Sequence, residues 1–509
     1  MIDGRYQITD DRPQIPESLL GQLSEFVVSQ VGLHFPKERR RDLERGIVSA
    51  AKEFGFADPE KCVQWLLALP LKRNQIEILA SYLTNGETYF FREKQAFEIL
   101  EERILSELIK TRRGNEQRLR IWSAGCCTGE EPYSIAILLS KMLPDLKDWN
   151  ISILATDINP RFLHKASEGI YSKWSFRGCP HWVAERYFRK AKEDHLEILP
   201  DIKDMVTFSY LNLIEDSYPS LSNCTNAMDI IFCRNVLMYF APGQIGLTAE
   251  RFYRSLLNSG CLIVSPVETA LLTHSPFVTV RFQDSTFYRK DVHKTKALQK
   301  AAKHVEKESI PYPSLPPETA KRRRPEKPSR PTRQAELKKP EEAERTPYEE
   351  AAALYRKGLY PEAEDRLRKL ISNGGRNQES CVLFARVLAN QGKLEEALGC
   401  CEEAVLADKC NARLHYLLAT ILEEQKQIEE ARVSLKKALY LDRNFVLAHF
   451  ALANLSLRLG KMVNARKHFG HAAEILSGYK PDDIIPESEG ITAGRLAEII
   501  GTFRMREMS

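Results

Sequence analysis

A repeat with a period of 34 residues is the feature of this sequence that most restricts its fold. Alanines recur at that spacing in two phases, at positions 363, 397, 431 and 465 and at positions 351, 385, 419 and 453. Small residues at fixed places let paired helices pack closely, and stacked pairs bury a continuous core. The repeats therefore predict an all-α solenoid that binds a protein partner and does no chemistry of its own.

The loops between the predicted helices recur at the same phase. They read GKLEEA at 392–397, KQIEEA at 426–431 and GKMVNA at 460–465. The pattern resembles the tetratricopeptide family, without its usual Trp and late Pro, and gives about four repeats over residues 346–479. The tail, residues 480–509, contains RLAEIIGTFRM, a candidate helix for capping the array.

A compositional break separates the repeats from the first part of the chain. Residues 291–345 are rich in Pro, Lys, Arg and Glu and contain few large apolar side chains. Such a segment cannot bury enough surface to offset the entropy of ordering, so we expect a disordered linker. Its basic run, Lys321–Arg324, could contact an acidic partner or nucleic acid, but a solvated linker is favoured.

Composition excludes several classes of protein. Of 509 residues, 43% are hydrophobic and 28% charged, which is typical of globular chains. The net charge of +5 is too small to indicate a nucleic-acid binder. Eleven cysteines without a Cys-x-x-Cys pair indicate reduced thiols and no metal site. Without a signal peptide or an apolar run of about 18 residues, we expect a cytoplasmic protein with no membrane insertion.

The first part of the chain has two patterns. Residues 1–88 carry apolar side chains at three- and four-residue steps, which predicts an N-terminal helical subdomain. Its basic run KERRR, at 37–41, is either a solvated helix face or a surface that contacts a partner, and the solvated face is favoured. Over residues 89–290, short apolar runs alternate with helical segments, which predicts an α/β Rossmann-like sheet. Ligands of such sheets bind at the carboxyl ends of the strands.

Candidate site residues follow the predicted strands. The turn GCCTGEE at 125–131 ends in two carboxylates, which would repel a pyrophosphate and favour an ammonium or sulfonium ligand. Asp157 follows the next strand and could bind the two hydroxyls of a ribose or cap a helix; beside the Gly-Glu-Glu turn, the ribose is favoured. Later strands are followed by Asn212, Leu213, Arg234, Asn235 and Tyr239.

The segment TNGETYFFRE precedes the first strand. If it is helical, Thr88 and Arg92 lie four residues apart and share one face. Its three aromatic side chains are expected to lie in the core.

Five motifs in register resemble those of the CheR family, the chemotaxis receptor glutamate methyltransferases. They are TNGETYFFRE, IWSAGCCTGEEPYSIA, ATDIN, FSYLNL and IIFCRNVLMYF. The resemblance covers about residues 15–290 and includes a small β-subdomain at about 170–205; members with fused tetratricopeptide repeats are known. It implies methyl transfer from S-adenosylmethionine, leaving S-adenosylhomocysteine, to glutamates of the cytoplasmic domain of a chemoreceptor. An unidentified protein partner is expected on the repeats.

The resemblance also implies roles for single residues. Cofactor contacts by position are Thr88, Arg92, Glu131, Asp157, Asn212, Leu213, Arg234 and Asn235. Arg92 and Tyr239 match the residues that handle the substrate carboxylate. Two positions depart from the family pattern: Gly86 stands where some members have Asn, with Asn85 one position earlier, and Cys127 stands where Ser is usual.

Two other functions are compatible with parts of the sequence. One is a non-catalytic scaffold that binds S-adenosylmethionine within a signalling complex. The other is a methyltransferase acting on nucleic acid, suggested only by the basic linker. The catalytic part lacks the Asn/Asp-Pro-Pro-aromatic signature that such enzymes often carry, so no nucleic-acid partner is expected.

Overall fold

The computed structural model describes residues 15–68, 71–114, 117–192, 194–221, 223–282, 285–291, 346–488 and 491–505. The predicted linker lies outside the described residues except for Asp291, and its basic run lies wholly outside them.

Four α-helices form the described part of the N-terminal region, residues 15–68 and 71–83, as the apolar periodicity predicts. They are α1 (Glu17–Val31), α2 (Arg40–Glu53), α3 (Pro59–Ala68) and α4 (Arg73–Leu83). Leu23, Val27 and Ile47 are fully buried and share a core with Trp122 of the central sheet. The helices therefore cover one face of the sheet.

A seven-stranded sheet lies at the centre, in the order β6-β2-β1-β7-β8-β10-β9. Its strands are β1 (Arg118–Ala124), β2 (Asn150–Asp157), β6 (Val206–Tyr210), β7 (Met228–Phe232), β8 (Leu256–Ile263), β9 (Val278–Phe282) and β10 (Ser285–Arg289). The strands from β6 to β8 pair in parallel, and β10 pairs antiparallel with β8 and β9. The predicted α/β Rossmann-like class is confirmed.

The order of the strands places a crevice beside β1. The chain runs outward from β1 to β2 and β6, then returns to place β7 on the other side of β1. Such a reversal opens a crevice at the carboxyl ends of the strands, where ligands of these sheets bind.

Helices and a second, smaller sheet complete this part. The helices are α5 (Lys94–Ile99), which continues as a π-helical turn at Leu100–Leu105, α6 (Ser106–Arg112), α7 (Glu130–Met142), α8 (Pro160–Glu168), α9 (His181–Tyr187), α10 (Pro200–Lys203) and α11 (Pro242–Ser255). The small sheet has the order β3-β5-β4, formed by β3 (Ile170–Tyr171), β4 (Phe188–Lys190) and β5 (Leu196–Ile198).

The segment before α5 is not helical, so the prediction that Thr88 and Arg92 share a helix face is wrong. Residues 85–93 form an irregular loop in which Phe91 and Glu93 have φ values of 56° and 58°. The backbone N–H of Phe90 donates to the Ser175 carbonyl at 2.9 Å, and that of Phe91 to Ser134 Oγ at 3.0 Å. Since both aromatic rings are buried and neighbouring segments satisfy their backbone, no helix forms.

The predicted solenoid is present as four helix pairs within residues 346–488. Its helices are α12 (Pro347–Arg356), α13 (Tyr360–Ser372), α14 (Gln378–Asn390), α15 (Leu394–Ala407), α16 (Ala412–Glu424), α17 (Ile428–Leu441), α18 (Val446–Arg458) and α19 (Met462–Leu476). The alanines of both repeat phases are buried, with at most 1% of each exposed, because they lie where paired helices touch. In the tail, α20 (Ala493–Met505) packs against α19.

The repeats pack against the amino-terminal ends of the strands. Glu424, the last residue of α16, forms ion pairs with Arg118 and Arg120 at the start of β1, and its Oε2 lies 3.2 Å from Arg118 Nη2. The Asn150 side chain donates to the Glu424 carbonyl at 3.3 Å. All three charged side chains are at least nine-tenths buried. The array is therefore fixed at the end of the sheet opposite the crevice.

Among the residues that the structure describes, no helix has the length and apolar character needed to cross a membrane.

The Glu424 carboxylate is expected to hold the repeats on the sheet. Glu424→Ala removes this carboxylate from two buried guanidinium groups, which should lower the free energy of unfolding by about 3 kcal/mol. Denaturant unfolding measures this loss, and hydrogen exchange at Arg118–Arg120 should become faster. The matched control is Glu430→Ala, at an exposed position on α17. Equal effects of the two substitutions would contradict the assignment.

Candidate active site

A cavity opens at the carboxyl ends of β1, β2, β6 and β7. It is lined by nine of the candidate residues from the sequence: Thr88, Arg92, Glu131, Asp157, Asn212, Leu213, Arg234, Asn235 and Tyr239. Loops from the N-terminal helices close one side through Leu33, Phe35 and Arg39. The fold therefore brings together side chains that are distant in sequence and differ in charge.

The glycine turn after β1 packs closely against the segment after β7 and lines the cavity. Gly125 has φ of 82°, and a Cβ there would lie 2.4 Å from Val236 Cγ2, so a side chain does not fit. The N–H groups of Gly125 and Cys126 donate to the Thr156 carbonyl at 2.7 and 2.9 Å. The end of β1 is thus tied to the end of β2.

Asp157 holds the same turn from the end of β2. Its carboxylate accepts from the N–H of Cys127 and the N–H of Asn159, both at 2.8 Å. Burial raises the pKa of Asp157 to about 6, while these backbone hydrogen bonds oppose the shift. Asn159 caps α8, since its side chain accepts from the first N–H groups of that helix. The alternative that Asp157 is the cap is therefore wrong.

The two carboxylates that follow the glycine turn face different ways. Glu131 lines the cavity and accepts from Ser123 Oγ at 2.8 Å. Burial raises the pKa of Glu131, and the charge of Arg234 opposes that shift. Glu130 instead accepts from Thr128 Oγ1 at 2.6 Å and Ser175 Oγ at 3.0 Å, and does not line the cavity. The expectation that both carboxylates face a cationic ligand is therefore wrong for Glu130, and only Glu131 faces the cavity.

Arg234 is held firmly at the back of the cavity. Its guanidinium lies 2.9 Å from the Glu93 carboxylate and 3.2 Å from that of Glu131. It also donates to the Arg92 carbonyl at 2.6 Å, and only 2% of its side chain is exposed. Arg234 therefore joins the loop before the sheet to the first turn of α7 and orients both carboxylates.

Tyr239 and Arg39 lie at the open side of the cavity. The Tyr239 hydroxyl accepts from Asn85 Nδ2 at 3.4 Å. The guanidinium carbon of Arg39 lies 5.2 Å from the ring centroids of both Tyr239 and Phe35. Arg39 belongs to the KERRR run, and its side chain is 37% exposed while it also lines the cavity. Asn85, one position before Gly86, also lines the cavity.

Asn212 connects β6 to the N-terminal helices. Its Nδ2 donates to the Gln30 carbonyl at 2.9 Å, and both Asn212 and its neighbour Leu213 are buried. This contact fixes α1 against the rim of the cavity.

Glu268 supports the site and was missed in the sequence. It is fully buried, and its carboxylate accepts from the N–H groups of Asn235, Val236 and Met238 at 2.9, 2.7 and 3.2 Å. The N–H and hydroxyl of Ser265 donate to it as well. The signal was present: Ser265 and Glu268 have the spacing of a capping box.

Comparisons with known proteins identify the family of this chain. The family described as "CheR methyltransferase, SAM binding domain" matches residues 86–283. "Chemotaxis protein methyltransferase 2" of Vibrio cholerae serotype O1 is 36% identical over 227 residues, which is 45% of this chain and 77% of that protein. The chain belongs to the CheR methyltransferase family. It is therefore an S-adenosylmethionine-dependent methyltransferase, and the cofactor prediction is confirmed.

Other relatives cover the same part of this CheR methyltransferase. "Chemotaxis protein methyltransferase" of Borreliella burgdorferi is 31% identical over 257 residues, covering 50% of this chain and 89% of that protein. "Chemotaxis protein methyltransferase 1" of Pseudomonas aeruginosa is 39% identical over 218 residues, covering 42% and 77%. The family "Tetratricopeptide repeat" matches residues 412–445, which confirms the predicted repeat.

A solved structure also resembles part of the CheR methyltransferase chain. "MamA 41-end" from Desulfovibrio magneticus RS-1 is 24% identical, covers 26% of this chain and 76% of its own, and has a TM-score of 0.25. So low a TM-score supports no argument about function.

Glu268→Ala should loosen the turn that presents Asn235. Five donors lose a buried charged acceptor, so the free energy of unfolding should fall by about 3 kcal/mol, as measured by denaturant unfolding. Glu268→Gln, which keeps the shape, should lose less. Glu250→Ala, at an exposed position on α11, is the control. A loss no greater than in that control would show that the turn does not need this carboxylate.

Proposed function

We propose that this CheR methyltransferase transfers the methyl group of S-adenosylmethionine to glutamate side chains in the cytoplasmic domain of a chemoreceptor. The observation that supports the proposal is one cavity in which acceptor groups, Glu131 and Asp157, lie together with Arg92 and Tyr239. The former suit the ammonium and hydroxyl groups of the cofactor, and the latter suit an anionic substrate.

The proposed cofactor contacts follow from the chemistry of each side chain. Each oxygen of Asp157 accepts one backbone hydrogen bond and keeps a lone pair for a ribose hydroxyl. Glu131 would accept from the ammonium group of the methionine part. Gly125 lines the cavity, so the cofactor would lie beside the backbone of this turn. Thr88, Asn212, Leu213 and Asn235 would complete the enclosure, and Arg92 and Arg234 would contribute positive charge.

The proposed mechanism assigns orientation, and no proton transfer, to the protein. S-adenosylmethionine supplies a methyl carbon on a positively charged sulfur. A glutamate carboxylate is ionised at pH 7, with a reference pKa of about 4.3, so no residue has to act as a base. Arg92, whose Nη1 donates to the Glu87 carbonyl at 2.6 Å, has further N–H groups to orient the carboxylate. Tyr239 accepts from Asn85, so its own hydroxyl proton remains to bind the second oxygen.

The repeats have a separate proposed role, which is to recruit a protein partner. We further propose that the chain divides into residues 1–88, 89–290, 291–345, 346–479 and 480–509, with the small β-subdomain at about 170–205. The burial of Glu424 against β1 makes removal of the repeats a poor test of their role, because it would expose Arg118 and Arg120. Substitutions in the full chain are preferable.

Transfer of a tritiated methyl group tests the proposal directly. The full-length chain is incubated with labelled S-adenosylmethionine and cytoplasmic fragments of chemoreceptors from the same source. We expect label on the fragment that alkali releases as methanol, since esters of carboxyl groups are base-labile. Cofactor binding without transfer to any fragment would contradict the proposal and support the non-catalytic scaffold.

Arg92→Ala should separate catalysis from cofactor binding. Without the guanidinium the substrate carboxylate loses its orientation, so kcat should fall by about 100-fold or more. The Kd for S-adenosylmethionine, measured by calorimetry, should remain measurable. Arg103→Ala, at an exposed position before β1, is the control. Full activity of the Arg92 variant would refute its role.

The raised pKa of Asp157 predicts how cofactor affinity depends on pH. Its pKa is about 6, so the carboxylate acceptor is lost as pH falls through 6. Affinity should be about tenfold weaker at pH 5 than at pH 7, and Asp157→Asn should flatten this dependence. The free energy of unfolding of the cofactor-free chain should instead rise as pH falls through 6. The reason is that the pKa of Asp157 in the folded chain exceeds the value of 3.8 for the unfolded chain, so the folded state binds the proton more tightly. Calorimetry and thermal unfolding over pH 5–8 measure both; an unchanged pH profile in Asp157→Asn would exclude its role.

A further inference from the structure

The segment after the last repeat folds back over the array. Residues 480–488, here called the tail segment, lead from α19 toward α20. Ile485 of this segment is 2% exposed and packs in one core with Tyr416 of α16 and Phe445, the residue before α18. The tail segment is therefore seated on the repeats and does not extend away from them.

A single carboxylate of the tail segment contacts two repeats. Glu487 forms an ion pair with Arg386 of α14, and its Oε1 lies 3.5 Å from Arg413 Nη1 of α16. The side chains of Arg386 and Glu487 are only 16% and 17% exposed, whereas Arg413 is 67% exposed. The Arg386–Glu487 pair is thus sheltered, and Arg413 covers it from the solvent side.

Glu487 also acts on the first repeat. Burial raises the pKa of Tyr348 of α12, and the negative charges of Glu379 and Glu487 raise it further. Tyr348, Arg386 and Arg413 come from the first helices of three successive repeats, so the tail segment crosses the face that these helices form. We call it the first-helix face. Glu424, at the far end of α16, belongs to a helix of the same face and contacts the base of the sheet.

The backbone at Glu487 adopts an uncommon conformation. Its φ is 66°, in the left-handed region that residues with a Cβ adopt rarely. Next to it, Ser488 is 1% exposed and donates from Oγ to the Ile491 carbonyl at 3.0 Å. The ion pair with Arg386 must offset the free-energy cost of this backbone conformation. A site that binds the Glu487 carboxylate this firmly could also bind the carboxylate of a ligand.

We propose that Arg386 and Arg413 form a binding site for the carboxylate side chain of an acidic peptide, and that the tail segment occupies this site until a partner's acidic segment displaces it. The inference rests on the proposed function only in that the repeats bind a partner. Guanidinium groups match carboxylates through paired N–H donors, which a lysine could not reproduce. The tail segment, KPDDIIPES, has three acidic residues and one basic residue, so its charge suits the site.

Covalent attachment makes the tail segment a strong competitor. A tethered ligand has an effective concentration in the millimolar range when its linker is short. A free peptide of the same sequence should therefore bind the wild-type chain weakly and should bind more tightly once the Glu487 contact is removed.

A fluorescein-labelled peptide KPDDIIPES tests the site, with the full-length chain titrated into it and anisotropy recorded. We expect Glu487→Gln in the chain to tighten peptide binding by about tenfold or more relative to wild type. Asp482→Asn, an acid-to-amide change at an exposed position of the same segment, should leave it unchanged. A peptide with Gln in place of Glu487 should not bind, and adding Arg386→Gln to the Glu487→Gln chain should abolish binding.

Arg413→Gln provides a second variant that should fold normally, because the side chain is mostly exposed. Introduced into the Glu487→Gln chain, it should weaken peptide binding. If Glu487→Gln lowers thermal stability without improving peptide affinity, the tail segment is only a structural cap and the proposal fails. Peptide binding that is unaffected by Arg386→Gln would also overturn the proposal. The assay contains neither S-adenosylmethionine nor receptor, so its failure would leave the methyl-transfer result unaffected.

Discussion

The guanidinium of Arg234 holds two other segments of chain together at the back of the cavity. It contacts the Glu93 carboxylate, the Arg92 carbonyl and the Glu131 carboxylate while 2% of its side chain is exposed. Burial of these carboxylates would be costly without a buried positive charge, and burial of Arg234 would be costly without them. The position of Arg92, which lies in a loop and not a helix, therefore depends on this group of charges. So does the direction in which Glu131 faces.

Much of this arrangement could be predicted because it follows from local rules. Strand ends in a parallel sheet meet at one edge, so residues directly after apolar runs, such as Asp157 and Asn235, were candidates from their position alone. The 34-residue period identified the solenoid because a repeated core needs repeated small residues. The family resemblance added the cofactor, which no spacing in the sequence specifies.

The remaining features depend on contacts between distant segments. The loop at 85–93 differs from a helix because Ser134 and Ser175 satisfy its backbone. Glu130 turns away from the cavity toward Ser175, and the partly exposed Arg39 contacts the ring of Tyr239. None of these partners is near in sequence, so local periodicity carries no information about them. The ion pair of Glu424 with β1 is missing from the prediction for the same reason.

The two ends of the sheet take on separate tasks in the proposed function. The cavity occupies the carboxyl ends of the strands, whereas Glu424 fixes the repeats to the amino ends through Arg118 and Arg120. A partner held by Arg386 therefore binds a part of the chain that is anchored to the opposite end of the sheet from the cavity. In the proposed function, such an arrangement would hold the enzyme near its substrate without blocking entry, because recruitment and methyl transfer would use different surfaces. The buried ion pair keeps the distance between those surfaces fixed, which a flexible connection alone would not do.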